Sequence, residues 1–197
     1  MLVSNRSDII NYLISLYGYN SYLEIGVRDN RNFNRISAKN KDGVDPRGKC
    51  KYKMQSDKFF RKIPATQMYD IVFIDGLHTK EQVLKDITNS LKHLNQNGTI
   101  VMHDCNPIAK EHATPKKKTN RWNGTVWEAF AELRMTRTDL FMCTVKKDTG
   151  CGIIRRGSQK VLNKHTLTFD YLDKNRKEIL NLMTAKEFIE FFGKENV

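Results

Sequence analysis

The chain has 197 residues, 39% of them hydrophobic and 28% charged, which suits one folded domain with a full core and excludes a disordered chain. A net charge of +12 and a pI near 9.6 favour anionic partners (nucleic acid, glycans, nucleotide-sugars or acidic lipid surfaces) without choosing among them. No apolar run reaches the roughly 18 residues of a membrane span, and the N-terminal stretch lacks a signal-peptide core, so a cytoplasmic location is expected.

Residues 4–18 read as a helix. Ile9, Ile10, Leu13, Ile14 and Tyr17 share one face, Ser4 or Ser7 caps the start and Gly18 the end. Residues 21–26 form a short strand of the nearly continuous apolar type found inside parallel sheets. A polar turn then enters a short helix with Phe33 and Ile36. Residues 41–46 are a second strand, stopped by Pro46. Ser56-Asp57 caps a helix carrying Phe59, Phe60 and Ile63. The strongest strand is 70–74 and the strongest helix 79–94, with a capping box of Thr79 and Gln82 and with Val83, Ile87, Leu91 and Leu94 on one face. Asn97-Gly98 makes a turn into the strand 99–102.

A long polar connection follows over 105–121, with Pro107, Pro115 and the run Lys116-Lys117-Lys118. Connections of this length are functional or disordered. The lysines either form a solvated loop or close over an anionic acceptor. Val126, Trp127, Phe130 and Leu133 predict a helix over 122–133, and both tryptophans, Trp122 and Trp127, read as packing residues. Residues 140–146 and 151–155 flank Lys147-Asp148-Thr149-Gly150 as a hairpin. The end is helical over 172–192 with a break at Thr184. The four cysteines, Cys50, Cys105, Cys143 and Cys151, include no C-x-x-C pair and read as reduced thiols near a core.

Alternating strands and helices predict an α/β fold: a mostly parallel sheet flanked by helices, with a C-terminal antiparallel hairpin, as a single domain over 1–197. Ligands of such sheets bind beyond the carboxyl ends of the strands. Four ends carry polar groups: Glu24 with Gly26, Asp45, Asp75 with His78, and His103 with Asp104. Gly26 lets the backbone approach a ligand, and Asp45 is placed to accept from ribose hydroxyls. Asp29, Asn30 and Asn32 stand where a dinucleotide fingerprint needs glycines, so a cofactor without a diphosphate fits better. Asp75 and Asp104, on adjacent strands, could share one hard cation that acidifies an acceptor hydroxyl. His78 could take its proton. Strand alternation turns His103 to the side opposite Asp104 and gives it a structural role.

The motifs Tyr22-Leu23-Glu24-Ile25-Gly26-Val27, Gly43-Val44-Asp45-Pro46, Ser56-Asp57 with Phe59-Phe60, Phe73-Ile74-Asp75-Gly76 with His78, and His103-Asp104 with Asn106-Pro107 together resemble S-adenosylmethionine-dependent methyltransferases of the Rossmann-like class. The nearest group is the macrocin O-methyltransferase-like set, linked to sugar and polysaccharide modification. The resemblance spans roughly residues 20–107. It implies S-adenosylmethionine as cofactor, with Glu24 and Gly26 at its methionine end, Asp45 on the ribose, Ser56 and Asp57 by the adenine, and Asp75 also in the cofactor site. It implies a divalent cation such as Mg²⁺ on Asp75 and Asp104, His78 as general base, and a sugar or other polyhydroxyl acceptor. Two other readings stay open on the sequence. The charge suits a nucleic-acid-binding or RNA-modifying protein on the same fold, and the glycine-poor loop after Gly26 suits a cofactor-binding domain without catalysis.

Overall fold

The computed structural model describes residues 2–194. Helix α1 (Arg6–Tyr17) is capped by Asn5, which with Asp8 completes a reciprocal capping box, and it ends at Gly18 in the left-handed conformation. The cap is therefore Asn5 rather than either neighbouring serine. Then follow β1 (Ser21–Ile25), a 3₁₀ turn (Phe33–Arg35), β2 (Asn40–Val44), α2 (Ser56–Lys62), β3 (Tyr69–Ile74), α3 (Lys80–Lys92) and β4 (Leu94–Met102). The C-terminal part adds α4 (Val126–Thr136), β5 (Leu140–Val145), β6 (Cys151–Arg156), α5 (Phe169–Ile179), β7 (Leu182–Met183) and α6 (Ala185–Lys194).

The seven strands form one sheet in the order β2-β1-β3-β4-β6-β5-β7. All neighbouring pairs are parallel except those of β6 with β4 and β5. The expected hairpin is present, and the short β7 pairs outside it as the edge. Alternate residues go to opposite faces, and both faces are covered. Val72, Ile74, Ile100, Met102 and Ile154 pack under α2, α3, α4 and α5. Ile71, Phe73, Val101, Cys143 and Ile153 pack under α1 and α6. This is why the strands read as nearly unbroken apolar runs. Fully burying each such side chain contributes about 1.5–3 kcal/mol.

Two local expectations are corrected. The strand after α3 starts at Leu94, so Asn97-Gly98 lies inside β4 rather than in a turn. Thr79 makes no side-chain cap on α3. Gln82 instead donates to Ser56, Asp57 and Asp86, and the free N–H of Lys80 is taken by the Thr125 hydroxyl at 2.7 Å. A partner distant in sequence has displaced the local cap. The four cysteines are free thiols.

The chain leaves β1 toward β2 on one side and reaches β3 on the other. The order reverses there, and open α/β sheets carry their ligand crevice at that reversal.

Candidate active site

Ile74 pairs with Met102 across β3 and β4. The next residues, Asp75 and His103-Asp104, therefore emerge side by side at the carboxyl end of the sheet. His78 stands three residues further on, just before α3. The segment after the long loop holds it there: Thr125 N–H donates to the His78 carbonyl at 3.0 Å. Gly124 (φ +65°) lies so close that a Cβ would come within 2.0 Å of that carbonyl, so only glycine fits. The Trp122 ring stacks on the His78 imidazole with centroids 5.2 Å apart.

The His78 ring spans the two carboxylates, with Nε2 3.2 Å from Asp75 Oδ1 and Nδ1 3.3 Å from Asp104 Oδ2. His103 spans them too, its Nδ1 lying 3.4 Å from Asp75 and 3.3 Å from Asp104, while its Nε2 faces Asp148 at 3.4 Å. Arg6, at the start of α1, brings its guanidinium within 3.5 Å of Asp75 and 3.7 Å of Asp148. Asn123 donates to Asp104 Oδ1 at 2.6 Å. Burial disfavours a charged His103, but Asp104, Asp148 and Asp75 outweigh it and raise its pKa to about 11. Burial also works against a charged His78, yet Asp75 and Asp104 carry it above the ordinary imidazole value. Burial raises Asp75, and the bonds from His103 and His78 overturn that and hold it well below the carboxylate range. Three carboxylates thus meet Arg6 and two imidazoles in one compact group.

Asp75, His78 and Asp104 offer ligand atoms that all lie within 4.8 Å of one another, and His78 Nδ1 is buried with no hydrogen-bond partner. Two carboxylates and an imidazole nitrogen that makes no hydrogen bond fit a divalent cation.

The other half of the crevice lies at the ends of β1 and β2. Gly26 has φ +92°, and a Cβ there would lie 2.1 Å from the Asp75 carbonyl oxygen. The glycine is demanded by the ends of β1 and β3 touching. Asp45 Oδ1 accepts from the N–H groups of Arg47 and Gly48, both at 2.7 Å, and Oδ2 accepts from Arg28 N–H at 2.9 Å. It ties the loop after β1 to the loop after β2. Ser56 and Asp57 open α2 and are bonded to Gln82 of α3. Among the described residues, no hydrogen bond joins them to the His78 group.

Glu24 is sealed in, 1% exposed. It accepts from the Tyr22 hydroxyl and, at 2.9 Å, from Asn32, which in turn accepts from Ser7 of α1 at 2.8 Å. Burial raises the Glu24 carboxyl, the bonds from Tyr22 and Asn32 pull it back, and it settles at about 7 against an ordinary 4.5. A folded-state pKa above the unfolded one makes stability fall as pH rises from the unfolded value through the folded one. The span from 4.5 to about 7 corresponds to a loss on the order of 3 kcal/mol. Glu24→Gln keeps the acceptor oxygen and removes the charge. It is expected to gain on the wild type between pH 5 and pH 8, as read from urea midpoints across that range. A gap that does not change with pH would count against a buried, neutral Glu24.

The structure thus brings together Asp75, His78 and Asp104. It overturns the reading that His103 faces away. Strand β4 ends at Met102, and Asp104 adopts φ +62°, so alternation does not continue and both side chains reach the same group. Sequence reasoning also missed Arg6, Asp148, Asn123 and Trp122. Only the length of the 105–121 connection and the turn at 147–150 signalled those regions. Trp127 is core, 1% exposed, whereas Trp122 covers the histidine.

Residues 14–105 match a family model described as a methyltransferase domain. Comparison with curated proteins gives no match. Among solved structures the chain is similar to the O-methyltransferase TomG from Streptomyces achromogenes, in complex with SAM. Identity is 13%, coverage 80% of this chain and 82% of that one, and the TM-score 0.58. It is also similar to SAH-bound methyltransferase PaMTH1 from Podospora anserina (13% identity, 79% and 80% coverage, TM-score 0.57). A third likeness is to an O-methyltransferase from Bacillus cereus in complex with SAH (11% identity, 78% and 80% coverage, TM-score 0.54). No helix among the described residues is long and apolar enough to cross a membrane. Over residues 14–105, then, the chain matches a methyltransferase domain, and it carries that match on the fold of these solved methyltransferases.

Proposed function

We propose that the chain is an S-adenosylmethionine-dependent O-methyltransferase whose acceptor is a sugar or other polyhydroxyl small molecule. The observation that carries the reading is the His78 imidazole held between Asp75 and Asp104 at the carboxyl ends of β3 and β4, with a buried Nδ1 that faces Asp104 but makes no hydrogen bond. Methyl transfer from a sulfonium is an in-line displacement, so the enzyme must align an acceptor oxygen and strip its proton. In this reading His78 takes that proton, Asp75 and Asp104 orient the ring, and Trp122 keeps water from its face. Asp75 and Asp104 would hold a divalent cation such as Mg²⁺, which when bound lowers the pKa of a hydroxyl beside it.

The cofactor lies in the crevice between the ends of β1 and β3. Asp45 engages the ribose. Its Oδ2 accepts one backbone N–H, which leaves that oxygen acceptor capacity for a hydroxyl. Glu24 and Gly26 shape the floor of the methionine end, and Ser56 with Asp57 borders the adenine. Titration calorimetry with S-adenosylhomocysteine tests this directly. Binding is expected, and Asp45→Ala is expected to weaken it about tenfold, the scale of one lost charge-assisted hydrogen bond. Absence of binding at millimolar ligand would sink the proposal.

A further inference from the structure

Beside the His78 group lies a hollow of about 210 Å³, lined chiefly by Asn106, Arg121, Asn123, Lys146, Lys147 and Thr149. It joins the site through two contacts. Asn123 donates to Asp104 at 2.6 Å, and the Thr149 hydroxyl is 3.1 Å from His103 Nε2. The volume is below the roughly 300–1,000 Å³ of pockets for drug-sized ligands, so it suits one sugar ring or the end of a chain.

The charge of this hollow is unbalanced. Arg121, Lys146 and Lys147 are exposed, and none of them forms an ion pair among the described residues. The acid in its wall, Asp148, is already engaged by Arg6 and His103. A second observation points to a ligand. Asn123 is 1% exposed, and its Oδ1 has no hydrogen-bond partner. A buried amide oxygen left bare is costly unless a donor arrives. Its other atom already holds Asp104, so a hydroxyl donating to Oδ1 would sit beside the catalytic group.

We infer that the acceptor carries an anionic group, a carboxylate or phosphate, which Arg121, Lys146 and Lys147 bind in this hollow. A hydroxyl of the same molecule donates to Asn123 Oδ1 and lies within reach of His78. The inference rests on the methyl-transfer reading of the site. The cations come from two separate segments, the end of the long loop and the β5–β6 turn, so the anion bridges them across the mouth.

The test titrates the full chain with glucose, glucuronate and glucose 6-phosphate, followed by saturation-transfer NMR with and without S-adenosylhomocysteine. At least one anionic sugar is expected to bind about tenfold or more tightly than glucose. That preference should vanish in the Lys146→Glu/Lys147→Glu double variant and shrink with added salt, while S-adenosylhomocysteine affinity stays unchanged. A preference for glucuronate alone assigns a carboxylate, and for glucose 6-phosphate alone a phosphate. Equal binding of all three sugars, no binding of any, or a preference that survives the double variant overturns the inference. Failure of the methyltransferase reading shows separately, as missing S-adenosylhomocysteine binding, and the sugar comparison on the unloaded chain still judges the hollow.

Discussion

His78→Gln is expected to lower methyl transfer about 10²–10⁴-fold, the usual contribution of a positioned general base, while S-adenosylhomocysteine binds as before. The substitution is chosen to isolate the proton-accepting role. The backbone at this position is held by Thr125 N–H on the His78 carbonyl and by Gly124 packed against it, and neither contact uses the imidazole. A glutamine is of similar length and still hydrogen-bonds Asp75, but it cannot accept a proton near neutral pH. Loss should therefore fall on kcat with KM for the cofactor little changed. Single-turnover rates with saturating S-adenosylmethionine give the answer. A variant that keeps more than about a tenth of wild-type turnover would remove His78 from the role of base.

The largest effect on stability is expected at Gly26. Its φ of +92° is one that side chains rarely adopt, and an added Cβ would meet the Asp75 carbonyl oxygen at 2.1 Å, its carbon at 2.5 Å and Gly76 Cα at 2.8 Å. All three are backbone atoms, so relief requires β1 and β3 to part at the crevice. Gly26→Ala is expected to cost about 4 kcal/mol or more, among the severe single substitutions. For a chain of this size that lowers Tm by roughly 8–16 °C. Thermal and urea unfolding followed by circular dichroism measure it. A Tm within about 2 °C of wild type would show that the two strand ends are not in contact. Because Asp75 is the atom's neighbour, the surviving folded protein should also lose activity.

Much of the scaffold could be read from residue pattern. Strands such as β3 and β4 announce themselves because alternate residues bury on opposite faces, leaving no polar interruption between Ile71 and Ile74 or between Thr99 and Met102. Once β3-α3-β4 is read as a unit, the adjacency of Asp75 and Asp104 follows from parallel pairing. The position of His103 did not follow. Its orientation depends on where the strand stops, and the left-handed turn at Asp104 is set by tertiary contacts. Gly26 was legible as special, but the close approach of the β3 end that also demands a glycine there was not. Arg6 carried no local signal, and Asp148 only that of the turn it stands in: they meet each other across 142 positions of sequence, and Arg6 meets Asp75 across 69.

That span has a consequence for how the site comes into being. During synthesis Arg6 emerges first, Asp75 and His103 much later, and Asp148 only at the turn between β5 and β6. Contacts so far apart in sequence form late, after the loops between them have closed. The acids of β3 and β4 therefore meet one another before Asp148, the last carboxylate of the group, is available. A nascent chain that has not yet reached Asp148 lacks one of the three carboxylates of this group, which is complete only when the hairpin of β5 and β6 docks beside β4.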